Sequence, residues 1–448
     1  MYACCLATTT FSHFRTVSTT FLTSTTSPMF PPHSQTKMPI LGGFRSIKLI
    51  SALLDLFCFL LRKTLKKSYV PNLGKCDIKM NAQELVQRHK LLECIQCGMC
   101  TGSCPVSRKV DLNIRRYMRE VAVTGKIVKY SQDVLWSCTT CSTCGLRCPK
   151  GLSPFEFLID MRSVAVEEGQ IPPTLRDALE SVFKNGNPWD RIRSKRTEWA
   201  QGLNIKHISQ GAEILYYVGC TASYDPRIQE VAKSLVKCLQ KAGVDFGILG
   251  EEENCCGNEV YGVGEKGLFE FLVEENMKLF NKYGVKRMVT TCPHGYNTFK
   301  NRYGQTSFEV QHHSQLLANL IENGKLKLSK ELNKKVIYHD PCFLGKQNGI
   351  YDEPRKVIES IPGVELLEFD RSRERSLCCE GGGGRMWVDI PGPRLAEIRV
   401  QNAVDAGAEI LAVACPFCLL TLEDAVKTTG FEEKIKVMDI AELLALAL

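Results

Sequence analysis

The sequence has no apolar run long enough to cross a membrane as a helix, no G-x-G-x-x-G following a strand pattern, and no basic stripe interleaved with aromatics. A spanning helix needs ~20 apolar residues. The most apolar stretch, Ile47 to Leu61, is shorter and is broken by Lys48 and Asp55. The sequence therefore supplies no transmembrane haem helices. The missing glycine fingerprint puts any flavin or nicotinamide on a partner. With a net charge of only +8 and Lys and Arg scattered among 49 acidic residues, nucleic acid is excluded as a partner.

Acidic residues are also missing from residues 1 to 37, which are rich in Ser, Thr and Pro and carry Arg15 and Lys37. That composition superficially suggests a transit peptide. Because Met38 opens a more conventional segment, the span 1–46 is read instead as a disordered or over-extended start. The span 47–75 is expected to form an amphipathic helix. With Arg62, Lys63, Lys66 and Lys67 behind its apolar run, it suits the membrane interface, a membrane-bound partner, or ordinary packing.

What the sequence has in excess is cysteine, 22 in 448 residues. Disulfide scaffolds are short secreted domains without a large core, and this chain is long enough for two to four domains. Seventeen of the cysteines fall into metal-ligand spacings. A reducing compartment follows, and the cytoplasm is the expected one, with peripheral attachment to the cytoplasmic membrane face.

Cys94, Cys97, Cys100, Cys104 and Pro105 make C-x2-C-x2-C-x3-C-P, and Cys138, Cys141, Cys144, Cys148 and Pro149 repeat it. Three closely spaced cysteines wrap one 4Fe-4S cubane, while the fourth ligates the other cluster in two-cluster proteins. The expected sets are therefore Cys94, Cys97, Cys100 and Cys148 for one cluster, and Cys138, Cys141, Cys144 and Cys104 for the other. Tetrahedral zinc explains such a duplicated run poorly. Ala82 to Glu93 and Asp111 to Lys126 both have helical character, the latter with apolar spacing at Ile114, Tyr117, Met118 and Val121. This module, residues 76–165, resembles the all-helical ferredoxin of succinate dehydrogenase and heterodisulfide reductase iron-sulfur subunits. Residues 166–210, with Pro172, Pro173, Gly186 and Pro188 as breakers, read as a connector.

The C-terminal half is duplicated. Cys220, Cys255, Cys256 and Cys292 align with Cys342, Cys378, Cys379 and Cys415 at offsets of 122, 123, 123 and 123. Each copy, 211–325 and 326–448, alternates strand and helix patterns. The strands are expected at Ile214–Val218, Asp245–Leu249 and Met288–Thr291, and at Val336–His339, Val364–Phe369 and Ile410–Ala414. A cysteine follows each strand, so sequence-distant thiolates are expected to meet at one edge of a small parallel sheet.

With these residues in view, the chain from about 80 to 448 resembles the family carrying the CCG, or cysteine-rich, domain: the D subunit of heterodisulfide reductase and relatives that include glycolate oxidase and lactate-utilisation iron-sulfur subunits. The resemblance implies an α+β multidomain fold, an all-helical two-cluster ferredoxin followed by two repeated α/β cysteine-rich domains. It also implies a noncubane 4Fe-4S cluster on the complete five-cysteine copy, here Cys342, Cys378, Cys379, Cys415 and Cys418, which are the expected catalytic residues. Two departures stand out. The first copy has Gly295 where the last cysteine belongs, leaving Cys220, Cys255, Cys256 and Cys292 for a further cluster, a zinc ion, or nothing, with His294 a candidate substitute. The second copy has Glu380 where the family has glycine after the cysteine pair. His339, His312 and His313 are read as structural by default.

The function this implies is an iron-sulfur oxidoreductase subunit of a complex, passing electrons through two cubanes to the second copy for thiol-disulfide redox chemistry. The alternative is an electron-transfer subunit linking a flavoprotein, such as an electron-transfer flavoprotein or a hydroxy-acid dehydrogenase, to a membrane quinone pool. Both call for a flavoprotein or other redox subunit as partner, and the second for a membrane-bound quinone or haem subunit. A redox or iron sensor is the third reading.

Overall fold

The computed structural model describes residues 80–127 and 131–448. The expected start, 1–46, and interfacial helix, 47–75, lie outside these residues. Among the described residues no helix is long and apolar enough to cross a membrane.

Helices build the N-terminal module. The first, Ala82–Arg88, starts at a reciprocal cap in which the Asn81 side chain accepts from Glu84 N and Glu84 returns the bond to Asn81 N, both at 3.0 Å. The helix expected over 111–126 occupies Ile114–Thr124. Asn113 caps it by accepting from Arg116 N, Gly125 stops it, and Ile114, Tyr117, Met118 and Val121 are all buried. A longer helix, Pro154–Glu167, buries Phe157, Leu158, Ile159 and Met161 on several faces at once, so it runs through the interior rather than along a surface.

Residues 166–210 hold the amphipathic helix Pro173–Asn185, which ends at Gly186 with φ 69°, and a 3-10 segment, Arg193–Ala200. The end of that span is a strand, β1 (Lys206–His207), which pairs into the first repeat's sheet.

Each repeat is a parallel sheet with helices around it. The first contains β2 (Ile214–Tyr216), β3 (Phe246–Ile248), β4 (Arg287–Thr290) and β5 (Glu309–His312), in the order β1-β3-β2-β4-β5. The second contains β6 (Lys335–Tyr338), β7 (Glu365–Leu367), β8 (Ile410–Val413) and β9 (Lys436–Asp439), in the order β7-β6-β8-β9. All pairings are parallel. Apart from β1 the two orders match strand for strand, as a duplication requires. The six strands expected from the sequence are present; β1, β5 and β9 were not foreseen.

β5 and β9 play the same part in each copy. The last residue of each caps the next helix: His312 caps His313–Glu322, and Asp439 caps Ile440–Ala447. The copies meet there, because buried His313 Nε2 lies 3.0 Å from Asp439 Oδ1.

Candidate iron-sulfur centres

In both sheets the cysteines follow the C-terminal ends of the strands. Cys220 comes after β2, Cys255 and Cys256 after β3, and Cys292 after β4; Cys342 follows β6, Cys378 and Cys379 follow β7, and Cys415 follows β8. Loops at that edge of a parallel sheet converge, so thiols far apart in sequence share one region.

Four thiols form an outer group. Cys94, Cys97, Cys100 and Cys148 line one small cavity with Arg115 and Lys150 at its wall, and Cys97 is exposed. A second group lies deeper. Cys104 is within electrostatic reach of Cys138 and Cys141, and Cys144 of Cys138, Cys141 and Cys104. Each motif thus sends its fourth cysteine to the other's company. Local amides point at the sulfurs: Thr140 N donates to Cys138 Sγ at 3.4 Å and Leu152 N to Cys148 Sγ at 3.3 Å.

The first repeat gathers Cys220, Cys255, Cys256 and Cys292 around a cavity of about 60 Å³, with His294, Gly295, Trp387 and Phe417 in its wall and no Lys or Arg among the lining residues. A Cβ built on Gly295 would lie 3.8 Å from Cys256 Sγ, so the residue in the family's last cysteine position does face the group. Beside Cys220 lies a buried ion pair: Arg196 Nη2 is 2.6 Å from Glu253 Oε1 and 3.6 Å from Cys220 Sγ.

In the second repeat the five thiols are all buried and form a chain. Cys379 Sγ lies 3.2 Å from Cys418 Sγ, and Cys342 with Cys378, Cys378 with Cys379, and Cys415 with Cys418 lie within electrostatic reach of each other. At one end, Cys141 of the second ferredoxin motif lies within electrostatic reach of both Cys342 and Cys378, and Cys378 Sγ is 3.5 Å from Thr139 Oγ1 of the same motif. At the other, Cys415 lies within electrostatic reach of His294 of the first repeat, whose Nδ1 lies 2.8 Å from Glu259 Oε1. Burial opposes charge on His294, but Cys415 and Glu259 outweigh it and raise its pKa to about 10. His294 therefore bridges the copies rather than lying among the first repeat's thiols alone.

Do these residues suit iron-sulfur clusters? Burial pushes the Cys104 thiol up to about 12 and raises Cys138 and Cys144 as well. Dry thiols of this kind give up their protons only to a cation that takes their place, which is what a metal cluster does. At Cys415 burial is outweighed by bonds from Cys418 and His294, which lower its pKa toward the thiolate that ligates metal. Buried Lys346 adds positive charge near Cys342, Cys141 and Cys378 while donating to Thr143 Oγ1 at 2.8 Å. The donor sets fit.

Several residues at these centres escaped the sequence reading. Arg162, fully buried, donates to Leu135 O at 3.0 Å, Cys138 O at 2.7 Å, Gly262 O at 2.8 Å and Gly383 O at 3.1 Å, tying the ferredoxin module to both repeats. Glu380 was visible as a departure from glycine. It keeps the left-handed backbone of its counterpart, φ 72° against 83° at Gly257, and both residues donate N–H to the first sulfur of their pair, at 3.3 and 3.4 Å. Its carboxylate reaches Lys109 in the ferredoxin module.

Comparison with known proteins agrees with this anatomy. A 4Fe-4S dicluster domain matches residues 90–152, and a cysteine-rich domain, CCG, matches 214–300 and again 336–423. The chain is 34% identical over 409 residues to the "EtfAB:quinone oxidoreductase" of Syntrophomonas wolfei subsp. wolfei, covering 78% of this chain and 57% of that protein. It is 34% identical over 418 residues to the "Probable iron-sulfur-binding oxidoreductase FadF" of Bacillus subtilis, covering 79% and 59%. The chain thus spans a little under three-fifths of the length of these two relatives. It is 33% identical over 398 residues to the D subunit of the "Dihydromethanophenazine:CoB--CoM heterodisulfide reductase" of Methanosarcina barkeri, covering 81% of this chain and 95% of that one.

Proposed function

The chain belongs to the family of iron-sulfur oxidoreductase subunits that includes the D subunit of heterodisulfide reductase, and from that premise we propose that it relays electrons between a redox partner and its second cysteine-rich repeat, where thiol-disulfide chemistry takes place. One observation carries this reading: the second ferredoxin motif packs against the second repeat's thiols, with Cys378 Sγ 3.5 Å from Thr139 Oγ1 and Cys141 within electrostatic reach of Cys342 and Cys378. Electron transfer needs short gaps between centres, and here the residues of two candidate centres are close neighbours.

In this reading Cys94, Cys97, Cys100 and Cys148 hold the outer cubane, and Cys138, Cys141, Cys144 and Cys104 the inner one. Cys342, Cys378, Cys379, Cys415 and Cys418 hold a noncubane cluster, and Cys220, Cys255, Cys256 and Cys292 a further metal centre. When bound, the clusters supply one-electron steps from which a two-electron thiol-disulfide conversion is assembled. The protein's own residues orient and insulate. Thr140 and Glu380 amides aim at sulfur, Lys346 balances negative charge, and the burial of all five second-repeat thiols excludes water. A flavoprotein or other redox subunit would dock over the outer site, where Cys97 is exposed and the large apolar side chains of Leu92, Ile95, Met99 and Leu146 are solvent-facing. Such an assembly would work at the cytoplasmic face of a membrane.

A second reading is favoured by the first repeat's cavity. Its lining holds no Lys or Arg, and the similarity to an EtfAB:quinone oxidoreductase suggests a subunit that passes flavoprotein electrons toward quinone.

Anaerobic purification with iron and sulfide counts, followed by EPR after addition of substrate or oxidant, tests both. About twelve irons fit two cubanes and one noncubane cluster, and about sixteen fit a loaded first repeat. A count stopping at about eight would remove the repeats from the route. An EPR signal induced by a thiol or disulfide and lost in Cys379→Ser supports the first reading; oxidation by a quinone analogue alone supports the second.

A further inference from the structure

The second repeat contains a histidine with an unusual environment. A ring nitrogen of His339 and the Sγ atoms of Cys379 and Cys418 all lie within 4.8 Å of one another, and all three residues are buried. His339 directly follows β6, the strand that leads to Cys342.

Its two ring nitrogens are not equivalent. Arg399 Nε donates to His339 Nδ1 at 3.2 Å, and a guanidinium can only donate, so Nδ1 spends its lone pair as an acceptor. Nε2 has no hydrogen-bond partner. A neutral imidazole that accepts at Nδ1 carries its proton on Nε2. An N–H there cannot donate a lone pair to a metal, and a buried N–H without an acceptor is costly. The Cys379 and Cys418 sulfurs are the acceptor chemistry near the ring.

We propose that His339 is a positioning residue that donates its Nε2–H to sulfur of the second-repeat centre, with Arg399 fixing the tautomer, and that it is not a ligand of that centre. This rests on the reading that the repeat holds an iron-sulfur cluster. Arg399 is itself held in place: it stacks with its guanidinium carbon 3.2 Å from the Phe369 ring centroid and donates to Arg371 O at 3.1 Å. A donor aimed at cluster sulfur draws off electron density and favours the reduced form, raising the reduction potential.

The test uses the full chain, anaerobically loaded, with the second-repeat centre followed by EPR during redox titration. His339→Leu is expected to disfavour reduction about tenfold in equilibrium constant, ~59 mV for one electron, without loss of iron. His339→Gln, whose amide N–H takes the place of Nε2–H, is expected to recover most of that shift. Wild-type protein labelled with 15N-histidine is expected to give only weak nitrogen coupling at this centre. Strong coupling from a directly bound nitrogen would overturn the proposal, as would an unchanged potential in folded, fully loaded His339→Leu. Failure of the functional reading is seen separately, as wild-type protein without iron in the second repeat.

Discussion

The Lys109 ammonium lies 2.9 Å from the Glu380 carboxylate, and both side chains are almost wholly shielded from water. The second Glu380 oxygen accepts from Leu395 N at 2.8 Å. A single residue in place of a glycine thus joins the ferredoxin module, the cysteine pair and the helix Leu395–Asp405.

Glu380→Gly relieves about 1 kcal/mol of left-handed backbone strain but strands a buried ammonium, a loss of about 3–5 kcal/mol. The expected net destabilisation is about 2–4 kcal/mol. Adding Lys109→Met should restore most of it, because the unpaired charge goes too. Urea unfolding of the two single variants and the double variant measures this; equal losses in Glu380→Gly and the double variant would contradict it.

Arg162→Met should cost about 4 kcal/mol or more, since it leaves carbonyls of Leu135, Cys138, Gly262 and Gly383 without their donor. Because those carbonyls belong to three modules, limited proteolysis should release the ferredoxin module from the variant and leave wild type intact.

Gly264 and Gly284 both have positive φ, 85° and 60°, but differ in surroundings. A Cβ at 264 would sit 2.4 Å from Ser163 N and 2.9 Å from Ile159 O, whereas nothing lies within 4 Å at 284. Gly264→Ala should cost roughly 3 kcal/mol or more and Gly284→Ala about 1 kcal/mol, read from thermal midpoints.

Cys220→Ser should lower the iron count of a protein whose first repeat is loaded, while Cys238→Ser should not. Cys238 is fully buried in the helix Pro226–Lys241, away from either group, with Ala441 O as its sulfur's partner at 3.9 Å. Iron assay and circular dichroism on both variants separate ligand loss from misfolding.

The ferredoxin motifs and the repeat were legible because each is written in local spacing. Ile114, Tyr117, Met118 and Val121 disclosed a buried helix face, and cysteines placed after apolar runs disclosed the strand ends. β5 and β9 stayed hidden because Glu309–His312 and Lys436–Asp439 are short edge strands with charged or polar residues and only partial burial. What no spacing reveals is who meets whom across the chain. Glu380 finds Lys109 over 271 positions, and Arg162 joins the Cys138 and Gly383 carbonyls of two distant segments. Glu380 could be flagged from sequence as a departure, but its partner could not.

Cys97 is open to solvent whereas Cys138, Cys141 and Cys144, and all five second-repeat thiols, are enclosed. Damage should therefore have a fixed order. Dioxygen and chelators reach the outer cysteine set before any other, so preparations exposed to air should lose metal from that set first while the enclosed sets keep theirs.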